Sequence, residues 1–122
     1  FWQNALLVRE SALKSKRPLF TKLVRANIEG IHYIKTEKDG AKALFRKYLG
    51  IVNPEGLERA YRDFSPIFPE LPYPTADGVQ TMLDDLAGQN LKASGADPRT
   101  FVDRSVVKEI DASGFIKQLY RR

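Results

Sequence analysis

The stretch PLFTKLVRANIEGIHYIK, Pro18 to Lys35, places Phe20, Leu23, Val24, Asn27, Ile28, Ile31 and Ile34 at three- and four-residue intervals. Lys22, Arg25, Glu29 and Lys35 fall on the other side. That period belongs to an α-helix of about five turns with one buried face, interrupted at Asn27. Pro18 suits its first turn, where a missing N–H has no partner to lose. Gly30 lies inside the helix at a cost of about 1 kcal/mol relative to Ala, the kind of position at which another helix passes closely. His32, the sole histidine, sits beside the stripe and reads as a packed or half-exposed structural residue.

Working outward toward the start, NALLVRE, Asn4 to Glu10, has a short apolar run with weak alternation and is read as a strand of about five residues. SALKSKRP then reads as a polar connection. On the other side, TEKD, Thr36 to Asp39, resembles a capping box with Asp in place of Glu, so Thr36 is expected to start a new helix. Ala41, Leu44, Phe45, Tyr48 and Leu49 form its apolar face and Gly50 stops it. Asn53 before Pro54 and Glu55 repeats the start signal for a helix carrying Leu57, Ala60, Tyr61 and Phe64 and ending near Pro66.

SPIFPELPYP follows, with Pro66, Pro69, Pro72 and Pro74. Each proline fixes its own φ and pushes the residue before it out of the helical region, so the segment reads as a stiff strap that packs through Ile67, Phe68, Leu71 and Tyr73. Thr75 caps the next helix, whose face is Val79, Met82, Leu83 and Leu86 and which ends around Gly88. LKASGADPRT is a loop in which Asp97 caps a turn at Pro98. The last stretch, FVDRSVVKEIDASGFIKQLYRR, offers short helical segments separated at Gly114. The expected fold class is mostly α within a single unit, 1–122: one N-terminal strand followed by about five to six helices.

The 122 residues suffice for one core and not for two ordinary domains. No apolar run approaches the roughly 20 residues that span a bilayer. The absence of cysteine excludes disulfides, thiolate metal sites and a cysteine nucleophile. The chain opens FWQNALLVRE, without an initiator Met or a basic-then-apolar leader, and so reads as a piece of a longer one. The net charge of +5 is uneven: Lys14 to Lys47 holds ten basic residues against three acids, the rest ten against twelve. Because those basic residues alternate with apolar ones along helices, they read as a solvated face; a phosphate-tracking surface is the alternative.

No H-E-x-x-H, G-x-S-x-G, G-x-x-x-x-G-K-[ST] or G-x-G-x-x-G occurs. Asp84 and Asp85 are adjacent, so on a helix they point about 100° apart and do not form an acid–base pair. The expectation is a protein without catalytic residues, metal or cofactor.

The order of motifs is similar to the C-terminal part of the extracytoplasmic solute-binding proteins of ABC importers, in the branch of the nitrate, sulfonate and taurine binders and the thiamine-pyrimidine-precursor family. EGIHYIKT, PYPTADGVQTMLDDL and FVDRSVVKEIDASGFIKQLY carry the resemblance, which covers nearly the whole chain. It implies the closing section of a two-lobed α/β periplasmic-binding-protein-like fold, a periplasmic or extracytoplasmic location, a small solute captured by lobe closure, and delivery to an ABC permease. The chain departs from the family at KSKRP, where an Asn-Pro type cap is usual, and most pocket-lining residues of the family lie upstream of Phe1. Trp2, Gln3 and Asn4 lie near where the chain would cross between lobes and are the ligand-contact candidates. A section without its lobes is expected to self-associate as a symmetric homodimer that pairs or buries its N-terminal segment. A small basic helical module that binds nucleic acid or another protein is the alternative function.

Overall fold

The computed structural model describes residues 5–89 and 92–121. Its elements run α1 (Glu10–Ser15), α2 (Arg17–Thr36), α3 (Lys38–Leu49), α4 (Pro54–Phe64), a 3-10 turn (Ser65–Ile67), α5 (Ala76–Ala87), a second 3-10 turn (Pro98–Phe101), α6 (Ser105–Ala112) and α7 (Phe115–Leu119). No strand occurs among the described residues.

The expected N-terminal strand is therefore corrected. Residues 5–9 are irregular, with Leu6, Leu7 and Val8 exposed to water. A lone apolar run has no second strand to take its backbone hydrogen bonds, so β-branched and leucine content alone does not make it a strand. The helix begins instead where a polar connection was expected: Arg9 holds the extended N-cap conformation, and Glu10 pairs with Lys14 one turn on. With the strand goes the expected match to an α/β fold: the described residues form an all-α body.

α2 extends one residue beyond the expected segment at each end, with Pro18 in its first turn. It buries a narrower face than the sequence stripe implies. Ile28 and Ile31 are buried and Phe20, Val24 and Ile34 half-buried, while Leu23 and Asn27 are exposed. The principal core joins Leu13 of α1, Ile28 of α2, Val106 and Ile110 of α6 and Ile116 of α7, with Phe20, Val24 and Phe115 packed around it. Arg25 lies over the Phe115 ring, 4.1 Å from its centroid, and covers that edge of the core.

Thr36 ends α2 rather than starting α3. Its hydroxyl donates to the His32 carbonyl at 2.9 Å, a bond back into its own helix, and Glu37 takes the N-cap position. The chain reverses so tightly there that a Cβ at Gly40 would collide with the Tyr33 hydroxyl. α3 stops at Gly50, whose φ of 68° is the left-handed cap glycine favours. Asn53 accepts from the Glu55 N–H at 2.9 Å and starts α4, which packs on α3 through buried Ala41, Leu57 and Ala60 and the edge-on rings of Phe45 and Phe64.

The proline segment is tied to α6 through Tyr73. The Tyr73 hydroxyl donates to Asp111 Oδ2 of α6 at 2.8 Å, and the Arg104 guanidinium lies 4.8 Å from the centre of its ring. Phe68 and Tyr73 are half-buried, whereas Ile67 and Leu71 face water. Thr75 sits at the N-cap of α5, which buries Gly78, Val79 and Leu83 and packs on the 3-10 turn started by Asp97, whose side chain accepts from the Arg99 N–H. Gly114, at φ 79°, separates α6 from α7 as its position implies.

Candidate functional site

Trp2, Gln3 and Asn4, the ligand-contact candidates of the sequence, lie outside the described residues. Titratable side chains border two open hollows. One, of about 330 Å³, lies between the end of α2, the proline segment and the end of α7, and is bordered by His32, Lys35, Glu37, Glu70, Tyr120 and Arg121. The other, of about 270 Å³, lies between α3 and the start of α4 beside Asp39, Lys42 and Arg46.

In the first hollow the His32 imidazole meets the Tyr120 ring edge-on, with centroids 4.8 Å apart. The Tyr120 hydroxyl is buried and has no hydrogen-bond partner. Burial, with the nearby Glu70 carboxylate adding to it, pushes the phenol above its usual range. Lys35 donates to the Ser65 carbonyl at 3.3 Å, which anchors the end of α2 to the turn after α4. Two cations and two carboxylates border the hollow, and no nucleophile stands hydrogen-bonded to a base. The arrangement packs a histidine and closes a helix end; it assembles no acid–base pair.

Beside the second hollow, Lys42, which lines it, and Lys38 of α3 donate to the Glu58 carboxylate of α4, and Lys42 also reaches Asp39 at 3.4 Å. These bonds hold Glu58 below the usual carboxylate range and raise Lys42. A third set links α2 to α6: Arg17 pairs with Glu109 and donates to the Ser105 hydroxyl at 3.0 Å, while Asp103 accepts from Ser105 N–H at 2.7 Å. The Ser105 bonds lower Asp103.

These sets use up much of the basic half of the chain. Lys14, Arg17, Lys38 and Lys42 are paired with carboxylates, Arg25 and Lys47 lie over aromatic rings, and Lys35 holds a carbonyl. Seven of the ten basic residues between Lys14 and Lys47 thus have partners inside the chain. No cluster of three or more potential metal-ligating side chains, and no helix long and apolar enough to cross a membrane, occurs among the described residues.

Sequence reasoning placed His32 but missed its partner, since Tyr120 is remote along the chain and no local pattern joins them. It likewise missed Tyr73 with Asp111. No family model, curated protein or solved structure matches this chain.

Proposed function

We propose that this chain is a non-enzymatic helical scaffold, the C-terminal segment of an extracytoplasmic solute-binding protein of an ABC-type importer. The whole protein would capture a small molecule by lobe closure and deliver it to the permease. The resemblance of EGIHYIKT, PYPTADGVQTMLDDL and FVDRSVVKEIDASGFIKQLY, in that order, motivates the assignment.

The observation that carries it is uncovered apolar helix surface. Leu19 and Leu23 of α2, Tyr48 and Leu49 of α3, and Met82 and Leu86 of α5 are each more than two-fifths exposed. Helices with a second apolar side are built to be covered, as scaffold helices of a larger body are. Burying such faces against the rest of a binding protein fixes the scaffold from which a solute site is made.

The test is calorimetry on the protein expressed from the complete reading frame that contains this chain, against a panel of small anionic and heterocyclic solutes. Tight binding of one solute at one-to-one stoichiometry is expected. A complete reading frame that ends with these helices alone, or a longer protein that binds no small solute, overturns the reading. A nucleic-acid module, the alternative, is disfavoured by the internal pairing of the basic residues.

A further inference from the structure

Three elements bring opposite charges to the hollow beside His32 without pairing them. The end of α2 supplies Lys35 and Glu37, the proline segment Glu70 and the end of α7 Arg121. Lys35 donates to the Ser65 carbonyl, and among the described residues the side chains of Glu37, Glu70 and Arg121 have no hydrogen-bond or ion-pair partner. The backbone around them is stiff. Pro69 and Pro72 fix the chain on either side of Glu70, and Tyr73 ties that segment to Asp111 of α6. The four charges therefore stand at set places around a gap that none of them closes.

We infer that this hollow binds a small zwitterion of the amino-acid type, its carboxylate toward Lys35 and Arg121 and its ammonium toward Glu37 and Glu70. Charge selects that class. A lone anion entering the hollow meets two carboxylates, and a lone cation meets two basic side chains, whereas a molecule carrying both charges has a partner for each. The end of the 20-residue α2 adds to the preference, because its last carbonyls give the Glu37 side a negative partial charge that favours an ammonium.

Size and lining agree with a small ligand. The volume of about 330 Å³ lies at the low end of the range for small-molecule pockets. Leu119 and the Tyr120 ring border the same space, so an apolar side chain on the zwitterion has surface to cover. The Tyr120 hydroxyl, enclosed from water, takes no part. Because the fixed charges need no rearrangement, little ordering cost opposes binding. The inference does not rest on the solute-binding reading, whose site is formed by lobe closure in the whole protein.

Nuclear magnetic resonance of the His32 imidazole tests it, because the sole histidine gives one set of ring signals and borders the hollow. Titration of this chain with L-leucine at constant pH is expected to shift those signals saturably. Leucinamide, which lacks the carboxylate, and N-acetyl-leucine, which lacks the ammonium, are each expected to bind about tenfold or more weakly. Glu70→Gln and Arg121→Gln are expected to weaken leucine binding by about the same factor. Both positions are exposed, so these variants keep the helical circular dichroism of the parent and separate binding from folding. No saturable shift with leucine, equal binding of either analogue, or leucine binding that neither substitution weakens overturns the inference.

Discussion

Ile28 and Gly30 stand two residues apart on α2 and face opposite environments: Ile28 has no exposed surface, and nothing approaches the place of a Gly30 Cβ. The same helix is thus half core and half open surface. Ile28→Ala removes side chain from the most enclosed position in the core and is expected to destabilise by about 2 to 5 kcal/mol. Gly30→Ala, measured where the chain is monomeric, removes backbone freedom without a clash and is expected to stabilise by about 0.5 to 1 kcal/mol. Urea unfolding of the two variants checks both the size and the opposite sign.

Tyr120 carries a buried hydroxyl without a partner, while its ring packs on His32. An unsatisfied polar group stabilises nothing, so Tyr120→Phe keeps the ring contact and removes only the uncompensated atom. Thermal unfolding is expected to show an unchanged or slightly raised Tm. Tyr120→Ala, which deletes the ring as well, is expected to lower it clearly. A Phe variant as unstable as the Ala variant would mean that the hydroxyl has a partner.

Glu58 and Asp103 are held below the usual carboxylate range by hydrogen bonds from Lys38, Lys42 and Ser105. A depressed folded value means that the unfolded chain takes up protons first as pH falls. Their contribution is therefore complete above the unfolded carboxylate value of about 4 and is lost as pH drops through the lower folded values. Tm is expected to hold between neutrality and pH about 5 and to fall steeply below about 4. The exposed Glu58 set is screened by salt, so Glu58→Gln is expected to flatten the acid decline relative to the unsubstituted protein, and by more at low ionic strength than at high.

Internal pairing of the basic half also predicts weak nucleic-acid binding. Fluorescence anisotropy with a labelled duplex is expected to show at most weak association, abolished by physiological salt. Tight binding with a steep salt slope, reduced by Lys22→Ala or Arg46→Ala, would favour the alternative module.

The helices were legible where a period persists or a cap is chemically distinct. α2 follows from about five turns of apolar spacing, and Asn53, Asp97, Gly50 and Gly114 mark ends by side-chain or backbone chemistry that needs no tertiary context. α1 was not legible, since six polar-rich residues carry no period and their helix rests on the Glu10–Lys14 pair and on Leu13 entering a core formed with α6 and α7. The run Leu6 to Val8 has strand composition but no neighbouring strand, and composition does not reveal partners. Thr36 was misplaced by one element because its hydroxyl bonds backward to His32 rather than forward. The apolar period of α2 gave a stripe but not how much of it the other helices cover, which is why Leu23 was expected inside. The hollow by His32 joins residues from the middle and the end of the chain, and the candidates Trp2, Gln3 and Asn4 lie outside the described residues.

The scaffold reading is tested most directly by small-angle X-ray scattering on the protein expressed from the complete reading frame, with and without the solute that calorimetry identifies. Lobe closure around a solute predicts a smaller radius of gyration in the bound state, with these helices still folded. Solute binding with no compaction, or a complete protein no larger than this helical body, would contradict it.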